Sequence, residues 1–194
     1  MKPNKRKERD VFSVTPFGLR SKTPFIYNVS RTGSRLVSDR LNIRFMSDGE
    51  EYGVCALVAR VFGEYVAGDF STEGVEEFSK YAEPNAMAER IRKGNKVLLA
   101  EEDGQVLGML ELKRPDHIAM LFVDDRGRGL GRALVERALQ LCREGTAGLE
   151  TVTVHASLYA VPIYRKLGFE AEGPERTENG ITYVPMVIRF ETDG

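Results

Sequence analysis

The segment Asp124-Asp125-Arg126-Gly127-Arg128-Gly129-Leu130-Gly131-Arg132 packs three glycines and three arginines into nine residues. It follows the apolar run His117–Val123 and precedes a helical stripe, so it reads as a strand-to-helix junction. Glycines let a backbone approach an anion closely, and the first N–H groups of a helix are unpaired and partly positive. Successive amides of this kind form an anion-binding nest, to which arginines add charge suited to phosphate oxygens. The plain alternative is a glycine-rich turn with solvated arginines. Two phosphate motifs are excluded. A dinucleotide fingerprint starting at Gly127 or Gly129 meets Arg132 or Leu134 where its third glycine belongs, and no Gly-Lys-Ser/Thr triplet completes a nucleotide P-loop.

A second run, Ser157-Leu158-Tyr159-Ala160-Val161-Pro162-Ile163-Tyr164-Arg165-Lys166-Leu167-Gly168-Phe169, stands one expected strand further on. Arg126-x-x-Gly129-x-Gly131 resembles the acetyl-coenzyme A signature of the GNAT N-acetyltransferase superfamily. The second run is similar to that family's Asn-x-x-Ala-x-x-x-Tyr…Gly-Phe marker, with Ser157 where asparagine is common. The resemblance spans residues 41–190 in element order. It implies that the amides of Arg126, Gly127, Arg128, Gly129, Leu130, Gly131 and Arg132 bind the pyrophosphate of the acyl donor. It implies that Leu121, Phe122 and Val123 pair edge-on with the pantetheine arm, Leu121 or Phe122 lending an amide to the acetyl carbonyl. Ser157 would cap the second helix and contact pantetheine.

Tyr164 is the expected catalytic residue. A phenol of ordinary pKa, ~10, is protonated at neutral pH and can donate to a departing thiolate, the role the resemblance gives it. An aromatic plug beside Ile163, Leu167 and Phe169 is the alternative. Amine acetylation also needs a base. Glu111, Asp116, His117, His155 or a water are candidates, with His155 the best placed, and Glu111 reads as a half-exposed strand residue between Leu110 and Leu112. Glu64, Tyr65 and Asp69, in the segment Phe62–Ser71, could meet a cationic amine. No metal-ligand cluster is present, and no metal is implied. The implied reaction is direct transfer from acetyl-coenzyme A to an amine-bearing small molecule or peptide. A non-catalytic coenzyme A binder on the same fold is the rival reading.

These residues need a scaffold, and the sequence outlines one. Leu41–Phe45 alternates as a strand, and Ser47 with Glu50 has capping-box spacing. Val54, Leu57, Val58, Val61, Phe62 and Tyr65 form a helical stripe. Ser71-Thr72 opens a second helix through Val75, Phe78 and Ala82, and Pro84 a third that stops at Gly94. Strands 97–100 and 106–110 flank an Asp103-Gly104 hairpin turn. The run from His117 to Val123, apolar on both faces, marks a strand in the middle of a sheet. Leu130, Leu134, Ala138, Leu141 and Cys142 give the helix after the glycine loop. A strand at 151–155, a short helix at 160–167 closed by Gly168, and a strand near 181–190 complete the order. Pro185 is expected to force an edge position or a bulge there. The pattern is α/β, and the resemblance makes it a GNAT-type three-layer fold, a central mixed sheet flanked by helices.

The 194 residues suit one domain, 41–194, behind an extension. Residues 1–40 carry ten Lys/Arg against three Asp/Glu, net +7, leaving −8 for the remainder. This reads as a flexible basic extension. Nucleic-acid binding through it is the minority reading, because no aromatics interleave the Lys2–Arg9 cluster. Cys55 and Cys142 fall on helical stripes as buried thiols of a reducing compartment. No stretch approaches the ~20 apolar residues of a membrane span, so a soluble, cytoplasmic protein with no membrane partner is expected. A homodimer remains open.

Overall fold

The computed structural model describes residues 41–113, 115–124 and 128–190. The expected extension, Arg126 and Gly127 lie outside them. The elements in chain order are β1 (Leu41–Phe45), α1 (Glu51–Tyr65), α2 (Thr72–Tyr81), α3 (Pro84–Arg92), β2 (Lys96–Glu102), β3 (Gln105–Lys113), β4 (His117–Val123), α4 (Leu130–Gly145), β5 (Thr151–Ala156), α5 (Val161–Lys166), β6 (Glu170–Ala171), β7 (Arg176–Glu178) and β8 (Ile181–Arg189). They build a mixed sheet of order β1-β2-β3-β4-β5-β8-β6, with β7 paired to β8. β4 and β5 are parallel and their neighbours antiparallel.

Each helix follows from its stripe. Val54, Leu57, Val58, Val61 and Phe62 of α1 are buried. Half of the expected capping box forms, because Glu50 accepts from the Ser47 N–H at 2.7 Å while the helix begins only at Glu51. Arg44 also donates to that carboxylate and to Glu101. Ser71 caps α2, its Oγ accepting from Gly74 N at 3.1 Å. Phe62 stacks on Phe78 at 4.0 Å, and Phe78 meets Phe122 of β4, which fixes α1 and α2 on one sheet face. On the other face α4 buries Leu130, Leu134, Ala138, Leu141 and Cys142. A Cβ at Gly108 of β3 would meet Leu134 Cδ1 at 3.3 Å, so bare backbone there lets the helix sit close.

Two expectations change. Glu111 is fully buried, not half exposed. Arg90 of α3 donates to both its oxygens at 2.7 and 2.8 Å, Asn95 donates to one at 2.6 Å, and Arg90 also donates to Tyr81 O. Charge pairing admits the carboxylate to the core and locks α3 to β3. Pro185 lies at neither an edge nor a bulge, since β8 has β5 on one side and β6 with β7 on the other. Its carbonyl accepts from Glu172 N, so its missing N–H falls on the side where β6 hands over to β7 and no ladder donor is needed. The short strands β6 and β7 are additions to the expected order.

Candidate active site

The parallel ladder between β4 and β5 consists of His117↔Thr153 and Ile118↔Val154. Both strands continue, β4 to Val123 along β3 and β5 to Ala156 along β8, but no longer paired to each other. The result is a fork in the middle of the sheet. Leu121, Phe122 and Val123 lie on its β4 arm, each at most 2 % exposed. A register shift between Glu111 and Leu112 leaves an extra β4 residue near the start of that arm.

The glycine loop delivers the chain from this arm into α4. Gly129 adopts φ +81, where a side chain would be strained, and no side chain caps the helix. The first amides of α4, from Leu130 to Arg132, therefore have no intrahelical acceptor. Gly131 comes close to Val123: a Cβ there would meet Cγ2 at 3.7 Å. The arginines are partly engaged. Arg128 is ion-paired with Glu102. Arg132, exposed, donates to Lys166 O at 3.3 Å and pairs with Glu136, linking α4 to α5. Asp124 pairs with Arg60 of α1 at 2.6 Å.

Beyond β5, Ser157 is buried and its Oγ accepts from Ala160 N at 3.3 Å, so its hydroxyl serves the turn into α5. Gly168 takes φ +94 as the helix ends, the expected C′ role. Tyr164 of α5 is fully buried, edge-on to Phe169 at 5.2 Å, and its hydroxyl has no hydrogen-bond partner. Burial holds the phenol protonated, its pKa raised well above the ordinary value. A sealed polar group without a partner costs about 1–3 kcal/mol, a reason to look for a ligand that completes it.

The candidate bases separate by position. Glu111 is closed off inside its ion pair with Arg90. His117 sits at the foot of the fork, its Nδ1 2.8 Å from Thr153 Oγ1, with burial pushing its pKa down to about 3. The Thr153 hydroxyl donates to Asp116 O, so it accepts from His117 Nδ1–H and leaves Nε2 as the bare, buried acceptor. Asp116 precedes β4, on the side away from the arms. His155, half-buried, is edge-on to His117 at 5.2 Å and stacked on Tyr183 at 4.1 Å. Tyr183 was not signalled by the sequence, since only the β5–β8 register brings it to His155. In the expected amine-contacting segment Glu64 and Asp69 are exposed, whereas Phe62 is core. Among the described residues no group of three or more His, Cys, Asp or Glu could hold a metal ion. Among them no helix is long and apolar enough to cross a membrane. Cys55 and Cys142 are both buried, and burial raises the Cys55 thiol to about 11.

A mixed sheet forked between two central parallel strands, followed by a helix whose start no side chain caps, defines an α/β scaffold with its opening in mid-sheet. Residues 66–190 match the acetyltransferase (GNAT) domain family, and the chain belongs to it. Over 66 residues the chain is 36% identical to the peptidyl-lysine N-acetyltransferase YjaB of Salmonella typhimurium, a stretch covering 33% of this chain and 43% of that protein. The match thus spans under half the length of that relative. A GCN5-related N-acetyltransferase of Rhodopseudomonas palustris superposes with a TM-score of 0.69 at 27% identity, covering 81% of this chain and 100% of that one. The PaiA N-acetyltransferase of Thermoplasma acidophilum, solved with coenzyme A, shares the fold at TM-score 0.63 and 16% identity, over 77% and 99% of the two chains.

Proposed function

We propose that this protein transfers an acetyl group from acetyl-coenzyme A to a primary amine of a small molecule or peptide, within residues 41–194. The observation that carries the reading is the sealed, unpartnered Tyr164 hydroxyl on α5, the helix that follows the β5 arm of the fork. The bound donor supplies an acetyl group activated as a thioester. The amides of Leu130, Gly131 and Arg132 hold its pyrophosphate at the start of α4, and Arg126, Gly127, Arg128 and Gly129 are the other loop residues expected to contact it. Leu121, Phe122 and Val123 offer the β4 arm as an edge for the pantetheine amides, and a Leu121 or Phe122 N–H steadies charge on the acetyl oxygen. Tyr164, kept neutral by burial, gives its proton to the departing sulfur. Ser157 shapes the turn that presents α5.

The test begins with calorimetry of coenzyme A and acetyl-coenzyme A. Thiol release is then followed with spermidine, a lysine-bearing peptide and a peptide with a free α-amine. The lysine peptide is included because a relative carries a peptidyl-lysine name. Binding with release supports the enzyme. Binding without release for any amine makes the chain a coenzyme A-binding module, and no binding removes the reading altogether.

A further inference from the structure

Direct transfer requires an acceptor nitrogen that has lost a proton, and Tyr164 serves the sulfur as a proton donor. The sheet face on which that nitrogen can be met follows from register. Glu111 of β3 meets Arg90, so the alternating residues Met109, Glu111 and Lys113 face α1–α3. Lys113 pairs with His117, His117 with Thr153, and His155 follows Thr153 on the same face. The opposite side of β5, Val152, Val154 and Ala156, is fully buried. His155 therefore stands on the α1–α3 face, one residue past the last β4–β5 pair, where the fork opens. Extending the register puts it level with Ala119, about 7 Å along the strand from Leu121. The imidazole reaches out from β5 toward that arm, and a bridging water can extend its reach to the acceptor nitrogen.

We propose that His155 is the general base of this acetyltransferase, held in place by Tyr183 and His117. This rests on the acyl-transfer reading above. His155 accepts one proton from the arriving ammonium, directly or through one water, and frees the nitrogen lone pair. As the C–N bond forms and the C–S bond breaks, Tyr164 protonates the sulfur and its oxygen recovers the remaining surplus proton from the nitrogen. The His155 imidazolium then loses its proton to solvent. The ring is set for this by its surroundings. Tyr183, buried, lies flat against one face, and its hydroxyl donates to Glu178 at 2.7 Å, which ties the stacked ring to β7. His117 closes the inner side edge-on. The charged groups that face it are Glu178 and Arg176 of β7 and Lys113 of β3. Burial outweighs the pull of Glu178 and keeps the imidazole neutral below its usual range, in the form a base requires.

The chain has two histidines, so ring proton spectra assign both from one His155→Gln variant. In wild type His155 should titrate below 6.5, and its signal should move when acetyl-coenzyme A is added without an acceptor. A His155 ring that titrates normally and ignores the donor overturns the assignment. For kinetics, His155→Gln should keep coenzyme A affinity within twofold and lose about 100-fold in kcat/KM for the lysine peptide at pH 7. The loss should shrink as pH rises and the amine deprotonates unaided. Tyr183→Phe, which keeps the stack but frees it from Glu178, should lose only a few-fold. Equal rates and equal pH profiles for His155→Gln and wild type sink the base role alone. Absence of thiol release by wild type sinks the acyl-transfer reading with it.

Discussion

Replacing Gly74 by alanine in α2 should invert the usual sign of a helix substitution. Alanine is favoured over glycine in a helix by ~1 kcal/mol. A Cβ on Gly74, however, would stand 2.6 Å from the carbonyl carbon of Gly180 and 3.1 Å from Ile181 N, with ordinary contact beginning at 3.4 Å. The turn between β7 and β8 would have to retreat by about 1 Å, an overpacking that costs about 1–3 kcal/mol. The Ser71 N–H and hydroxyl donate to Gly180 O at 3.2 and 3.3 Å, and losing this pair costs a further ~1 kcal/mol each. Net of the propensity gain, Gly74→Ala should destabilise by about 2–4 kcal/mol, a melting temperature lower by roughly 4–16 °C for a chain of this size. Gly53 and Gly63, exposed on α1 with nothing within 4 Å of an added Cβ, are internal controls. Each should gain about 0.5–1 kcal/mol as alanine. Urea unfolding of the three variants decides. If Gly74→Ala is stabilised alongside the controls, the close seating of α2 on the β7–β8 turn is wrong.

Tyr164→Phe removes a sealed hydroxyl that has no partner, so unfolding free energy should hold or rise by up to about 2 kcal/mol while turnover falls; a stability loss beyond 1 kcal/mol would reveal a partner. Arg90→Met strands the fully buried Glu111 carboxylate and should cost about 3–5 kcal/mol in urea unfolding, much of it recovered by adding Glu111→Leu. His117 binds a proton in the unfolded chain near 6.5 but in the fold only near 3. Its contribution is thus complete above 6.5 and falls with pH toward 3, by up to about 1.4 kcal/mol per pH unit. The difference between wild type and His117→Gln should carry that slope between pH 7 and 4.5, and parallel curves would refute it.

Periodicity exposed what depends on periodicity. His117–Val123 announced a central strand because both faces are apolar, and Asp103-Gly104 announced its hairpin because both residues need positive φ, which they adopt. The same logic misread Glu111, since alternation reports where a side chain points and not what waits there. Its partners Arg90 and Asn95 come from 21 and 16 residues away. Pro185 misled because its effect depends on which neighbour faces its nitrogen, a matter of register. β6 and β7, two and three residues long, are too short to show any period. The glycine loop and Tyr164 were visible as residue types, whereas the fork, the orphaned phenol and the His155–Tyr183 stack exist only through the packing of distant segments.

The fork has a mechanical side as well. Two rafts of strands, β1–β4 and β5–β8, are lashed along their shared seam by two residue pairs at one end. So short a ladder leaves the two rafts few backbone bonds to resist a scissoring motion about it. A molecule lying in the gap acts as a rung across it, so occupancy is expected to slow amide exchange in β5, which borders the gap, more than in β2, which does not.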